Sequence, residues 1–305
     1  MPLVSVLIPA YNHQAYVIKC LESLLVDGYP RLDIVFLDDG SSDCTYEIAN
    51  AWQFEHGGQF ERVSVMRQKN AGLCATLNRM IDMANGDYCV ILASDDYLLA
   101  GGIVARLQAL QDNPAWLAVF GDCIVVDKQG QTIHQSGISC LYDGDRFALA
   151  NPIHMRSELL WNWCVPGPVL MAKKICFDKI SGVGNYDESL LVEDRDFYLR
   201  LLERNALGYA NVPVSAYRIH GENSFSASSV KRRVALAQSM ASTLEKHAAC
   251  FQGLEKLALG LEAMRYRASI QALNAPKNFL FRAYALVARK FKPFVYRFLK
   301  FVRFI

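Results

Sequence analysis

A chain of 305 residues, 52% hydrophobic and 20% charged, can bury a sizeable core and is not a disordered polymer. No run of about eighteen apolar residues occurs, and Met1–Ile8 lacks a basic leader, so neither a spanning helix nor a signal peptide is expected. The net charge of +2 hides a split: Met1–Glu262 carries 22 basic and 30 acidic residues, whereas Ala263–Ile305 carries 10 basic residues and no acidic one. An acidic main body argues against nucleic acid as a partner. The nine cysteines are scattered and show no CxxC spacing, which suits free thiols in a reducing compartment better than disulfides or a zinc site.

In chain order, Leu3–Ile8, Asp33–Leu37, Val63–Arg67 and Tyr88–Leu92 are predicted strands, short and apolar on both faces. Amphipathic helices lie between them. His13–Leu25 carries a stripe of Tyr16, Val17, Cys20, Leu21, Leu24 and Leu25, and Ala71–Ala84 one of Leu73, Leu77, Met80 and Ile81. Asn12 and Asp43 are placed to cap the first two helices. Ile103–Leu110 continues the alternation. Leu117–Val126 and Thr132–His134 then form a hairpin over the polar Asp127-Lys128-Gln129-Gly130, which makes the sheet mixed. A helix near Met155–Trp163, a strand at Val169–Ala172, a helix near Glu193–Arg204 and a strand up to Ile219 follow, and the chain is helical from about Lys231. The pattern predicts an α/β fold with one mixed, mostly parallel sheet flanked by helices.

In an open sheet of this kind, ligands bind beyond the carboxyl ends of the strands. Those ends read Pro9-Ala10-Tyr11-Asn12, Asp38-Asp39-Gly40-Ser41-Ser42-Asp43, Gln68-Lys69-Asn70-Ala71-Gly72 and Ala93-Ser94-Asp95-Asp96. Carboxylates gathered on adjacent strand ends repel one another unless a cation sits among them. A divalent cation with oxygen ligands, Mg2+ or Mn2+, resolves the repulsion and recruits a diphosphate. Neither GxxxxGK[ST] nor GxGxxG occurs, so the cation has to hold the phosphates.

Val4-Ser5-Val6-Leu7-Ile8-Pro9-Ala10-Tyr11-Asn12, Asp38-Asp39-Gly40-Ser41-Ser42-Asp43, Asn70-Ala71-Gly72, Asn85-Gly86-Asp87-Tyr88 and Ser94-Asp95-Asp96 resemble, in order and spacing, the family-2 glycosyltransferases of the GT-A fold. Glu193-Asp194-Arg195-Asp196 with Arg200, and Tyr217-Arg218-Ile219-His220, are similar to that family's later motifs, so the resemblance covers roughly Pro2 to Ser226. The resemblance implies a Rossmann-like sheet and an inverting transfer of sugar from a nucleoside diphosphate donor, UDP foremost, to an acceptor hydroxyl. It assigns Pro9, Tyr11 and Asp39 to the nucleoside, with Asn70, Gly72, Ser94 and Asp95 in the same donor site. It makes Asp95 the metal ligand, Asp96 a second ligand or support, His220 the residue that completes the site for Mn2+ or Mg2+, and Asp194 the general base. Glu193, beside that base, is placed with the acceptor.

Two positions depart from the family. Ala93 stands where a carboxylate usually holds the ribose, which leaves that contact to Asp38 or to a backbone group, and Gly184-Asn185-Tyr186-Asp187-Glu188 has one glycine where two are usual. Trp161 and Trp163, flanking Cys164-Val165-Pro166-Gly167-Pro168, are candidates to stack on an acceptor sugar or to fill the core.

The reading divides the chain into a glycosyltransferase domain over 1–228 and a helical region over 229–305, the latter ending in a basic amphipathic tail at about 276–305. Pro276–Ile305 holds eight Lys or Arg, nine aromatics and no acid. Leu280, Tyr284, Val287 and Phe291 share one helical face opposite Arg282 and Arg289. After Pro293, Phe294, Phe298, Phe301 and Ile305 continue it away from Lys300 and Arg303, so two short helices broken at the proline are expected. Such a tail suits an anionic membrane surface on the cytoplasmic face of the inner membrane. The resemblance then points to a lipid-linked saccharide acceptor in assembly of a bacterial surface polysaccharide of the lipopolysaccharide O-antigen kind. Two competing readings are a membrane-associated scaffold on a degenerate GT-A fold, which Ala93 favours, and a sugar-nucleotide pyrophosphorylase. The second would need a glycine-rich loop where Pro9-Ala10-Tyr11-Asn12 stands.

Overall fold

The computed structural model describes residues 1–221 and 229–301. The expected boundary at residue 228 and the tail positions Arg303 and Ile305 lie outside them. In chain order the elements are β1 (Val4–Ala10), α1 (Val17–Asp27), β2 (Leu32–Asp38), α2 (Thr45–His56), β3 (Arg62–Arg67), α3 (Leu73–Met83), β4 (Tyr88–Ile91), β5 (Tyr97–Leu98), α4 (Gly102–Asp112), β6 (Ala118–Val126) and β7 (Thr132–His134). There follow α5 (Gly137–Tyr142), α6 (Arg146–Ala150), α7 (Pro152–Trp161), β8 (Leu170–Lys173), α8 (Glu193–Glu203), β9 (Leu207–Arg218), α9 (Val230–Ala248), α10 (Gly253–Asn274) and α11 (Phe279–Phe301).

The strands form one sheet in the order β3-β2-β1-β4-β8-β6-β9-β5, with β7 paired to β6. β1 is parallel to β2 and β4, β2 to β3, and β6 to β9, whereas β8, β5 and β7 run antiparallel to their neighbours. The mixed, mostly parallel α/β sheet is therefore as expected. The carboxyl ends of β1, β2, β4 and the long β9 share one rim, and β9 carries the late Tyr217-Arg218-Ile219-His220 motif back to the first strand ends.

The pleat sends alternate residues to opposite faces. Val4, Val6, Ile8, Ile34 and Phe36 pack with Val17, Leu21, Leu24, Trp52 and Ile103 of α1, α2 and α4. Leu7, Val35 and Leu37 belong to the other face's core with Leu77, Met80, Leu159, Phe197 and Leu202 of α3, α7 and α8. Leu244 of α9, Ala258 and Leu259 of α10 and Leu299 of α11 join that second core. β3 is half-buried rather than enclosed on both faces, because it is the edge strand.

Two local expectations need correction. Asn12 does not cap α1, which starts four residues later than expected; it sits at φ 56 and its Oδ1 accepts from Ser42 N–H at 2.8 Å. Asp43 does accept from Thr45 N–H at 3.0 Å, at the start of α2. The tail is one helix running through Pro293, not two.

Gly86 of the Asn-Gly-Asp-Tyr motif shows why a glycine stands there. A Cβ would lie 2.5 Å from Ser5 N and 2.8 Å from Leu3 O, both backbone atoms at the entry to β1. Its N–H donates to Ser5 Oγ at 2.8 Å, and Ser5 donates to the buried Asp33, which Arg62 also holds. Gly86→Ala is expected to destabilise the fold by about 2–3 kcal/mol through overpacking against backbone that cannot yield, read as a lowered denaturation midpoint at unchanged m-value.

α11 has two unlike faces. Ala288, Lys292, Val295, Tyr296 and Leu299 face the protein. Leu280, Tyr284, Val287, Phe291, Phe294, Phe298 and Phe301 face outward at 42–85% exposure, spaced alternately four and three residues apart. The inward face is held by charge: Lys292, buried, donates to Leu160 O and to Glu262, each at 2.8 Å, and Arg195 of α8 donates to the same Glu262 oxygen at 2.8 Å. Lys300 donates to Glu158 at 3.0 Å, Tyr296 donates to the same carboxylate, and the Tyr296 ring stacks on Trp161 at 6.1 Å. No helix among the described residues is long and apolar enough to cross a membrane.

Candidate active site

The turn after β4 puts Asp95 at the centre of the rim. Its Oδ2 lies 3.0 Å from Nε2 of His220, just past β9, and its Oδ1 lies 3.8 Å from Nδ1 of His13, just past β1. Ligand atoms of these three residues all lie within 4.8 Å of one another. Burial opposes ionisation of Asp95, but the His220 hydrogen bond and the nearby His13 outweigh it and hold the carboxyl below its ordinary range. Two imidazoles and one carboxylate are a donor set that fits a divalent transition metal, Mn2+ better than Mg2+. His13 entered the sequence reading only as the start of the first helix and not as a site residue; the available signal was its place directly after Asn12, on the same rim as the acidic strand ends.

Asp96 is turned the other way. Its Oδ1 accepts from the Arg218 backbone N–H at 2.8 Å, while the Arg218 guanidinium donates to Asp95 O at 2.8 Å and lies over the Tyr16 ring. Complete burial first, and the Asp95 charge second, push Asp96 well above the ordinary carboxylate range. It supports the turn and does not join the His13–Asp95–His220 group, so its expected place as a metal ligand is corrected.

Asp39 faces the loop after β3. Its Oδ1 accepts from Gln68 Nε2 and Ala71 N–H, both at 2.8 Å, and its Oδ2 from Gly72 N–H at 2.9 Å. Gly40, at φ +80, lets this loop come close, since a Cβ there would lie 2.9 Å from Asn70 N. Tyr11 and Asn70 are exposed beside it.

Other expected donor contacts are closed off. Asp38 is fully buried, accepting from Gly40 N–H at 3.2 Å and Ser41 N–H at 3.0 Å, so it shapes the turn and does not reach a ribose. Ser94 is fully buried too, with its hydroxyl 2.8 Å from His13 Nδ1. Pro9 is buried within β1, level with Leu37 of β2. Ala93 adds no side-chain donor or acceptor; its carbonyl closes the turn by accepting from Asp96 N–H at 3.1 Å.

Asp194 occupies the first turn of α8. Within Glu193-Asp194-Arg195-Asp196, the last two residues are buried and the first two half-buried. Arg195 reaches Glu262 and lies 4.2 Å from the Trp163 ring, while Asp196 binds Arg200 and His247, each at 2.8 Å. Arg200 donates to Gly184 O at 3.0 Å, and Asn78 of α3 donates to Tyr186 O at 3.0 Å and Glu188 at 2.8 Å, so the Gly184–Glu188 segment is stapled between α3 and α8. Asp194 Oδ1 accepts from Arg195 N–H at 2.6 Å. Desolvation raises Asp194 above its ordinary range, and desolvation with the Asp194 charge raises Glu193 to about 8. Burial, followed by the charges of Asp194, Cys123 and Asp96, lifts Tyr142 to about 12, which sets that phenol within the fields of both the α8 acids and the rim. Trp161 is 4% exposed and stacked on Tyr296, so it belongs to the core and not to an acceptor platform. Trp163 is half-buried between Arg195 and the edge of Tyr198.

Comparison with known proteins identifies the family and the fold. The family model described as "Glycosyl transferase family 2" matches residues 5–164. The chain is 27% identical over 227 residues to the chondroitin synthase of Escherichia coli, covering 73% of this chain but only 30% of that protein. It is 36% identical to the glycosyltransferase GlyG of Streptococcus pneumoniae over 37% of this chain and 36% of that one. With a PGL/p-HBAD biosynthesis glycosyltransferase of Mycobacterium bovis it shares 26% identity across 71% of this chain and 91% of the relative. Among solved structures, S. aureus TarS 1-349 in complex with UDP-GlcNAc superposes with a TM-score of 0.57 at 16% identity, over 97% of this chain and 91% of that one. The Pyrobaculum calidifontis mannosyltransferase PcManGT in complex with GDP-Man and Mn2+ gives 0.60 at 17% identity, over 96% and 83%. These structures share the fold. Because the family model spans more than half of the chain, the protein belongs to glycosyl transferase family 2 and has its GT-A-like architecture.

Proposed function

We propose that the protein transfers a sugar from a nucleoside diphosphate donor, UDP foremost, to an acceptor hydroxyl with inversion at the anomeric carbon. The observation that carries this reading is the meeting of Asp95, His220 and His13 on the rim that also holds the Asp39 loop. Tyr11, Asp39, Asn70 and Gly72 would receive the nucleoside, Asp39 through the Oδ2 that accepts one hydrogen bond among the described residues. Asp95 and His220 would hold a divalent ion, which when bound stabilises the negative charge on the departing diphosphate. Asp194 would take the acceptor's hydroxyl proton as the new glycosidic C–O bond forms and the bond to the diphosphate oxygen breaks. Arg195 N–H keeps that carboxylate oriented. The test is nucleoside diphosphate release from a panel of nucleotide sugars with and without Mn2+, followed by NMR of the product's anomeric configuration. Release from none of the donors, or retained configuration, rejects the reading.

We further propose that the tail binds an anionic membrane surface on the cytoplasmic side, which makes a lipid-linked saccharide the natural acceptor, and that residues 229–305 form the unit carrying this contact. The supporting observation is the outward apolar stripe of α11, bordered by the exposed Lys290 and Arg297. No acidic residue beyond Glu262 could pair with these cations across a seam with a second copy, whereas anionic headgroups would. Phe294→Glu with Phe298→Glu removes apolar burial of about 1.5–3 kcal/mol per ring. The double variant is expected to lose vesicle partitioning by at least about tenfold at unchanged thermal midpoint, and wild-type binding should weaken with salt. Unchanged partitioning rejects the membrane face.

A further inference from the structure

We infer that His13 is a third protein ligand of the metal site and makes it select Mn2+ over Mg2+. The inference rests on the nucleotide-sugar reading above and extends it, because the family resemblance requires only Asp95 and His220.

The position of His13 is built, not incidental. Asn12 N–H donates to Ser41 Oγ, His13 N–H to Thr45 Oγ1 (each 2.8 Å), and Gln14 N–H to Asp43 at 3.0 Å. With Ser42 N–H donating to Asn12 Oδ1 at 2.8 Å, the Ser41–Thr45 segment grips three consecutive residues of the turn after β1. Asp43 is itself fixed, accepting from the Thr45 hydroxyl at 2.5 Å. The polar end of the Asp-Asp-Gly-Ser-Ser-Asp motif therefore serves to aim His13.

The side chain points at the same centre as the other two ligands. Its ring lies edge-on to His220 at 6.0 Å, with 23% of the side chain exposed, and Nδ1 rests on Ser94 Oγ at 2.8 Å. Ligand atoms about 2.1 Å from one ion stand about 3 Å apart when adjacent and about 4.2 Å apart when opposite. The three groups, all within 4.8 Å of one another, need little movement to share one ion. His13 would exchange the serine hydroxyl for the metal. Mg2+ takes oxygen ligands and keeps its waters, whereas Mn2+, a first-row transition ion, accepts imidazole nitrogen as well as oxygen. A second imidazole thus shifts preference without adding charge.

The experiment uses the full chain with Mn2+, Mg2+ and UDP as probes. Electron-spin-echo modulation of bound Mn2+ counts the coordinated imidazole nitrogens, and calorimetry gives the affinity for UDP at saturating Mn2+ and at saturating Mg2+. Wild type should show two imidazole nitrogens, His13→Gln and His13→Ala one. The ratio of Mn2+-supported to Mg2+-supported UDP affinity should fall by about tenfold or more in both variants, at unchanged thermal midpoint. One nitrogen in wild type, or an unchanged ratio in both variants, overturns the role of His13 and leaves the metal-dependent reading intact. UDP binding that is indifferent to either metal in wild type overturns both.

Discussion

Asp95→Ala is expected to lower kcat/KM by about 10³-fold or more and to remove the stabilisation that UDP gives in the presence of Mn2+. Among the described residues, Asp95 is the one carboxylate of the rim within reach of both histidines, so its loss removes the charged member of the proposed ligand set. Lewis-acid stabilisation of a leaving diphosphate is worth several kcal/mol, and each 1.36 kcal/mol is about a decade in rate. The measurement is a pair of melting curves with UDP, with and without Mn2+, beside a turnover assay. A variant that keeps its Mn2+-dependent shift places the metal elsewhere. Asp95→Asn serves as the isosteric control, since it keeps a partner for the buried His220 side chain.

Asp194→Asn should lower kcat by about 10²–10⁴-fold while leaving UDP affinity within a few-fold. Amide and carboxylate have the same shape, so the loss isolates proton acceptance. Burial raises the Asp194 carboxyl, and the acid limb of the wild-type kcat–pH profile should accordingly lie above the ordinary carboxylate range. The sign is fixed by the role: a base works only when deprotonated, so activity rises with pH through that value. Glu193, raised to about 8, stays largely protonated at neutral pH, and on the proposed reading it would donate to the acceptor. Collapse of UDP affinity in Asp194→Asn would assign the residue to the donor site instead.

The parallel half of the fold was legible because strands covered on both faces are short, mostly apolar runs, as Val6–Ala10 and Ile34–Leu37 within β1 and β2 are. Asp95, His220 and Asp39 were legible because motif order fixed them to strand ends. His13 was not, since its aim comes from Ser41, Asp43 and Thr45, some thirty residues away, and no periodicity encodes such a grip. The burial of Asp38 was available in principle: it shares the parity of Ile34 and Phe36 and so turns toward the face covered by α1, α2 and α4. Trp161 and the inward side of α11 were hidden for another reason. Lys292 is a buried lysine, and lysines are almost never fully buried unless paired. Its partner Glu262 lies 30 residues away on α10. The same anchoring explains why Pro293 does not split the helix, since contacts on both sides hold its axis in place.

The junction at Glu262 joins Arg195, which follows Asp194 on α8, to Lys292 on α11 through a single carboxylate oxygen. Burial opposes the charges of Arg195, Lys292 and Arg265 on it, and the cations prevail, holding Glu262 at about 2. Breaking a buried pair of this kind costs about 3–5 kcal/mol. A flexible tether would let the reaction centre sweep a wide shell above whatever surface its end grips. A helix pinned to the residue next to the proposed base permits no such sweep. On the proposed membrane face, the centre then works at one height above the bilayer, and an acceptor is chosen partly by how far its reactive hydroxyl stands from its lipid. The tail becomes a gauge of length as well as an address.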